Sequence, residues 1–172
     1  MKYLLLSLML TTLLAGCTSV PQGVEPVTGF DKERYLGRWY EIARLDHSFE
    51  RGLSQVSAEY SIQEDGSLQV INRGYKASTD EWKEAEGRAV FVGDENIGHL
   101  KVSFFGPFYS SYVIFALDKQ DYSYAYVSGY NHKYLWFLSR SPEVSEAALE
   151  EFQTHALKAG FDLDELILVD HP

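Results

Sequence analysis

Eight short stretches of the chain have strand-type patterns, either alternating apolar and polar residues or, as in residues 112–117, a nearly continuous apolar run, with turn-forming residues between the stretches. In residues 54–63, for example, Val56, Ala58, Tyr60 and Ile62 occupy every second position, and polar residues separate them. Side chains two positions apart lie on the same face of a strand, so this pattern predicts a half-buried β-strand. The eight predicted strands cover residues 39–44, 54–63, 68–75, 82–92, 98–104, 112–117, 124–129 and 134–140.

After residue 142 the apolar positions change to helical spacing. Ser145 is predicted to cap the start of a helix, because its hydroxyl can accept a hydrogen bond from a first-turn amide. Gly160 is predicted to follow the end of the helix, where a positive φ is common. A last short strand is expected within residues 161–169. The apolar stripe, which we expect to pack on the sheet, consists of Ala147, Ala148, Leu149, Phe152, Ala156 and Leu157.

Strands that follow one another at intervals of roughly ten residues are typical of an all-β meander. Together with the single late helix, they predict an eight-stranded up-and-down antiparallel barrel with one C-terminal α-helix packed outside. A barrel of this strand number has an interior that is either filled by side chains or just large enough for one small ligand.

The N-terminal region differs from the rest of the chain. Lys2 precedes an apolar run that is too short to span a bilayer as a helix, as in a secretory signal peptide. The sequence Leu14-Ala15-Gly16-Cys17 is similar to the lipobox of bacterial lipoproteins, in which cleavage leaves an acylated cysteine at the new N-terminus. We expect a signal peptide over residues 1–16, a lipidated N-terminus and extended tether over 17–30, and the folded domain over 31–172.

Cys17 is the only cysteine of the chain, so an intramolecular disulfide is excluded. The alternatives to lipidation are an uncleaved signal anchor and a lone buried thiol. The resemblance to lipoproteins also implies an outer-membrane location at the periplasmic face, since Thr18 rather than Asp follows the cysteine.

The chain is acidic, with a formal net charge of −10, and removal of residues 1–16 with Lys2 would make it −11. This charge argues against nucleic acid as a partner and against electrostatic attachment to anionic lipid. Aromatic residues make up 15% of the chain, which is enough for a large core or an aromatic-lined cavity.

A charged helical turn over residues 31–34 leads into Gly37 and Trp39 at the first strand. Glycine permits a sharp turn, and tryptophan supplies a large apolar surface with one N–H donor. Such a pair is suited to sealing one end of a barrel, although an isolated Gly-x-Trp also fits an ordinary core strand.

Over residues 29–170 the chain resembles the lipocalins, and among them the bacterial outer-membrane lipocalins. One departure is that Ala116 and Leu117 stand where the family often has Thr, with Tyr122 displaced. The motifs that carry the resemblance are Gly37-x-Trp39, Ala116-Leu117-Asp118 with Tyr122, Leu138-Ser139-Arg140, and the runs 39–44 and 101–109.

The resemblance implies a barrel floor built by Gly37, Trp39 and Arg140, with the guanidinium on the indole face. The ligand then lies at the opposite, open end. Strand aromatics there can also be ordinary filling, and an in-phase Asn72 can bond a neighbouring strand instead of a ligand. The candidate ligand-binding residues are Tyr60, Asn72, Phe104, Tyr112 and Trp136, with His47 and Phe49 at the mouth.

No catalytic motif is present: the chain has neither Gly-x-Ser-x-Gly nor His-Glu-x-x-His, and its five histidines are scattered. We therefore predict no enzymatic activity, no cofactor and no metal. The resemblance implies an outer-membrane-anchored protein that binds a fatty acid or lysophospholipid for envelope lipid storage, transport or repair. The alternatives are a structural or interaction lipoprotein with a filled barrel and a lipid-modifying enzyme. Phe105, Phe108 and Tyr109 indicate either a homodimer patch or a lip that touches the membrane.

Overall fold

A computed structural model describes residues 18–172 as one closed barrel with a helix outside it. The first eight strands pair antiparallel, each with the next along the chain, and the first strand also pairs with the eighth, which closes the barrel. The predicted fold class is therefore confirmed. The strands are β1 Gly37–Leu45, β2 Leu53–Ile62, β3 Leu68–Lys76, β4 Glu81–Phe91, β5 His99–Phe105, β6 Phe108–Leu117, β7 Tyr124–Ser128, β8 Leu135–Ser139 and β9 Leu166–Leu168; the helices are α1 Lys32–Tyr35 and α2 Glu146–Lys158.

All eight predicted barrel strands are present, with one substantial change of boundary. Strand β6 begins at Phe108, four residues before the predicted start, because Gly106 and Pro107 form a tight hairpin between β5 and β6 rather than a longer break. The last strand is shorter than predicted and pairs with the upper part of β1.

The helix caps are confirmed. The Ser145 hydroxyl accepts a hydrogen bond from the amide of Ala148 at 3.2 Å, and Gly160 has φ +92° just after the helix. Helix α2 packs on the outer face of the barrel through Phe152, whose ring centroid lies 4.9 Å from that of Phe137. The prediction was wrong for Ala147 and Leu157, which are exposed because they flank the stripe that faces the sheet.

The expected tether over residues 17–30 is only partly a linker. The apolar side chains of Val24 and Phe30 are buried. The backbone N–H of Val27 donates to the carbonyl of Ile114 in β6, and its carbonyl accepts from the N–H of Gly98 just before β5. The packed part of the chain thus begins before residue 31. The predicted signal peptide over 1–16 and the predicted lipidation site, Cys17, lie outside the described residues. No helix within residues 18–172 has the length and hydrophobicity needed to cross a membrane.

Two apolar clusters define where a ligand could lie. One fills the space between α2 and the outer face of the sheet, and the other fills the lower half of the barrel around Trp39, Tyr35 and Phe30. The upper half of the barrel, towards the loops that follow β1, β3, β5 and β7, is left open.

Candidate ligand-binding cavity

A cavity of about 390 Å³ occupies the upper half of the barrel. This volume lies within the range of about 300–1,000 Å³ that is usual for small-molecule sites. The walls are mostly apolar and aromatic, and all five candidate ligand-binding residues line the cavity together with the two expected at the mouth: Tyr60, Asn72, Phe104, Tyr112, Trp136, His47 and Phe49.

The floor of the barrel lies below this cavity. The guanidinium of Arg140 stacks on Trp39, 3.9 Å from the ring centroid, and donates to the carbonyls of Arg38 and Arg34 at 2.8 Å each. Gly37 has φ +88°, which brings the chain from α1 into β1 beside this stack. Neither Trp39 nor Arg140 lines the cavity, so both belong to the packed floor and not to the candidate ligand-binding residues.

A cluster of tyrosine hydroxyls separates the floor from the cavity. The hydroxyls of Tyr35 and Tyr112 are 2.7 Å apart, and the Tyr60 hydroxyl donates to Tyr112 at 2.8 Å. Burial raises the pKa of all three tyrosines, so they remain neutral donors and acceptors. They form a polar group at the lower end of the cavity.

Beside the cavity lies a buried cluster of four charged or titratable side chains, which we call the charged cluster: Glu41, Arg44, His47 and Glu50. All of these except Arg44 line the cavity and form its polar wall. Arg44 Nη1 donates to Glu41 Oε1 at 2.7 Å, and Arg44 Nη2 donates to the carbonyl of Glu50 at 3.1 Å. Trp136 Nε1 donates to Glu50 Oε2 at 3.0 Å. The cluster thus holds the β1–β2 loop against β8.

Of the charged cluster, the sequence predictions named only His47, and they missed Glu41 and Arg44 because of a β-bulge. Glu41 pairs with Leu138, but Arg44 pairs with Trp136, since the register shifts between Glu41 and Ala43. One extra residue reverses the alternation of faces. Glu41 and Arg44 consequently both point into the barrel. The only signal for the cluster in the sequence is that Glu41 lies two positions after Trp39 and therefore on the same, inward face of the strand.

The two carboxyls of the cluster titrate differently. Burial, together with the charge of Glu50, raises the pKa of Glu41 well above its usual value. Burial also acts to raise the pKa of Glu50, but the adjacent His47, the Trp136 donor and Arg44 outweigh it and lower that pKa. Of the two carboxyls, Glu50 therefore loses its proton at the lower pH and Glu41 at the higher pH.

The imidazole of His47 is buried in the cavity wall with its polar atoms available. Its Nε2 lies 3.0 Å from Glu50 Oε2 but off the direction of a good hydrogen bond, and its Nδ1 has no partner among the described residues. The side chain of Asn72 makes no hydrogen bond to another of the described residues. These groups can bond a polar part of a ligand without losing a protein partner.

Glu41→Gln should remove part of the pH dependence of stability. Because the folded pKa of Glu41 is raised, its contribution to stability is greatest below the pKa of the unfolded state and is lost as the pH rises. A neutral amide has no such loss. We expect the free energy of unfolding of Glu41→Gln, relative to the native chain, to increase between pH 5 and pH 8 in urea titrations.

The control for this measurement is Glu59→Gln, on the solvent side of β2, where Glu59 pairs with Arg38. It should show no comparable gain with pH. A Glu41→Gln chain that loses stability relative to the native chain as the pH rises would contradict the raised pKa of Glu41.

Within residues 18–172 no group of three His, Asp or Glu side chains is arranged to hold a metal ion. The other histidines of this part of the chain lie outside the cavity, and only His47 lines it.

Residues 30–171 match the model of the lipocalin-like domain, and the chain belongs to the lipocalin family. It is 57% identical over 159 residues to the outer membrane lipoprotein Blc of Vibrio cholerae serotype O1, with 92% of this chain and 93% of that protein covered. The outer membrane lipoprotein Blc of Escherichia coli K12 is 48% identical over 162 residues, with 93% and 91% covered. The similarity to these outer membrane lipoproteins identifies the chain as a lipid-anchored lipocalin of the outer membrane.

Among solved structures, insecticyanin from the tobacco hornworm Manduca sexta superimposes with a TM-score of 0.70 at 21% identity, over 90% of this chain and 87% of that chain. At this identity the likeness shows the fold alone. It agrees with the closed barrel and the external helix described above.

Proposed function

We propose that this protein holds one single-chain amphiphile, a fatty acid or a lysophospholipid, in its barrel for storage, transport or repair of envelope lipids. The observation that carries the proposal is the cavity of about 390 Å³, with apolar walls and polar atoms in one part. Burial of an acyl chain against Val70, Val102 and Phe104 supplies affinity. The charged cluster and Asn72 supply contacts for a head group.

The size of the cavity favours this proposal over a structural or interaction lipoprotein with a filled barrel. Side chains fill only the lower half of the interior, around Trp39, and the upper half has room for a ligand. Acylation of Cys17 would keep the cavity beside the lipids that it samples, at the periplasmic face of the membrane. More than one acyl chain is needed for such anchoring to be firm.

We propose binding rather than catalysis. His47 and Glu50 are adjacent, but the described side chains in contact with them, among them Phe49, Tyr134 and Trp136, include no serine, threonine or cysteine. A lysophospholipid incubated with the protein should be recovered chemically unchanged by mass spectrometry. Release of fatty acid in proportion to protein, surviving repurification, would instead establish a lipid-modifying enzyme.

Ala58→Phe is expected to weaken ligand binding by about tenfold or more, which corresponds to about 1.4 kcal/mol. Ala58 lines the cavity, and a phenyl ring there occupies space that an acyl chain would use. Binding of palmitate and of lysophosphatidylethanolamine is measured by titration of tryptophan fluorescence, since Trp136 lines the cavity, and by native mass spectrometry.

The matched control is Ile71→Phe, which adds a ring on the exposed face of the neighbouring strand β3. This variant should bind both lipids as the native chain does. If the native chain binds neither lipid, the transport proposal is wrong. If Ala58→Phe binds as tightly as Ile71→Phe, the ligand does not occupy this cavity.

A further inference from the structure

The open end of the barrel carries a ring of exposed aromatic side chains. Phe105 and Phe108 flank the β5–β6 hairpin and are 75% and 79% exposed. Phe49 in the β1–β2 loop and Tyr130 in the β7–β8 loop are also exposed and line the cavity mouth. We call these four residues the mouth lip. Three separate loops therefore present apolar surface in the same direction, around the entrance of the cavity.

The N-terminal segment places the end of the described chain beside this lip. The Ser19 hydroxyl donates to the carbonyl of Tyr130 at 3.1 Å, and burial of Val24 holds the preceding segment against the barrel. Cys17 is two residues from Ser19, and two extended residues span roughly 7 Å. A free tether over all fourteen residues from 17 to 30 would have reached roughly 50 Å. The acyl chains of a lipidated Cys17 would thus leave the protein next to the mouth.

The loops that join the barrel strands carry fewer acidic residues at the mouth than at the closed end. The four loops at the open end, 46–52, 77–80, 106–107 and 129–134, contain three acidic and two basic residues. The three turns at the closed end, 63–67, 92–98 and 118–123, contain six acidic residues and one basic residue. Residues 162–165, which precede β9 at the upper end of β1, add three acidic residues on the mouth side. Charge therefore does not attract this end to an anionic membrane surface, and any contact there depends on apolar burial.

Aromatic side chains also surround the open end on the outside of the barrel. Trp82 is exposed next to the β3–β4 turn, with Tyr75 beside it at 5.5 Å between ring centroids and Arg73 stacked on it at 4.2 Å. Tyr109 has Lys101 over its ring at 5.1 Å. Tryptophan and tyrosine with adjacent cations are the residues that favour the interface between lipid and water.

We propose that the mouth lip inserts into the leaflet to which the protein is anchored, so that the cavity opens directly onto membrane lipid. The partner is the interfacial region of a phospholipid bilayer, and apolar burial of the lip rather than charge attraction drives the contact. A single-chain amphiphile can then pass between leaflet and cavity without crossing bulk water. This proposal rests on the proposed function and on the acylation of Cys17.

The test uses the acylated full chain in vesicles of phosphatidylethanolamine and phosphatidylglycerol. Acylation occupies the only cysteine, so a single introduced cysteine can carry an environment-sensitive dye. Phe108→Cys places the dye in the lip, and Ile62→Cys places it on an exposed residue at the closed end, which makes it the matched control. With lipids brominated on their acyl chains, we expect a blue shift and strong loss of emission at position 108 and neither change at position 62.

Solvent-like emission at position 108 in vesicles, or equal quenching at positions 108 and 62, would overturn the proposal. So would a dye at position 108 that becomes shielded with rising protein concentration and is insensitive to brominated lipid, because a second copy would then cover the lip. The readout needs no ligand in the cavity. Failure of lipid binding in the fluorescence titrations and failure of lip insertion are therefore separate results.

Discussion

Trp39→Ala is expected to lower the free energy of unfolding by about 3–5 kcal/mol. Trp39 is fully buried, its indole Nε1 donates to the Tyr35 carbonyl at 2.8 Å, and its ring carries the Arg140 guanidinium. Alanine removes the apolar contacts, leaves a cavity in the floor and deprives Arg140 of its stacking partner. Urea unfolding followed by circular dichroism measures the loss.

Trp82→Ala is the matched control for this change. Trp82 is 46% exposed and also carries a stacked arginine, so the same chemical change at the surface should cost far less than at the floor. A loss below about 1 kcal/mol for Trp39→Ala, comparable to an ordinary surface substitution, would show that Trp39 does not lie at a packed floor.

Arg44→Met is expected to cost about 3–5 kcal/mol, because it removes the cation from a buried ion pair. Arg44 is 2% exposed, and its guanidinium bonds Glu41 and the carbonyls of Glu50 and Leu53. Methionine keeps much of the volume but leaves Glu50 charged and less compensated. Chemical unfolding at neutral pH gives the loss.

Two further variants separate the causes of this loss. Arg51→Met breaks the exposed pair with Asp46 and should change stability by about 0–1 kcal/mol. The double change Glu50→Gln with Arg44→Met should be more stable than Arg44→Met, since the buried carboxyl that lost its compensating cation is then neutral. If the double variant is no more stable, loss of packing and not of charge explains the effect of Arg44→Met.

Local pattern was enough to predict most of the barrel. The alternation through Leu68, Val70 and Asn72 is a property of neighbouring residues, and it placed the inward face of β3 correctly because a strand without a bulge keeps its period. The caps at Ser145 and Gly160 likewise depend on a few adjacent residues.

Two other features could not be predicted from neighbouring residues. The bulge in β1 turns Arg44 inward, and the register that creates it is set by pairing with β8. The segment before residue 31 is polar overall and contains two prolines, which is typical of a linker. Its apolar residues Val24 and Phe30 find a surface to cover only after the barrel has closed.

The amino-acid sequence alone was sufficient for the strand order, the barrel class, the helix and most of the residues that face inward, because these follow from the local period of two or of 3.6. The cavity, the charged cluster in its wall and the position of the N-terminal segment at the mouth were not predictable in this way. Each depends on groups far apart in the chain: Glu50 with Trp136, Tyr60 with Tyr112, and Ser19 with Tyr130. Closure of the sheet brings these groups together, and it also sets how much of the interior the side chains leave empty.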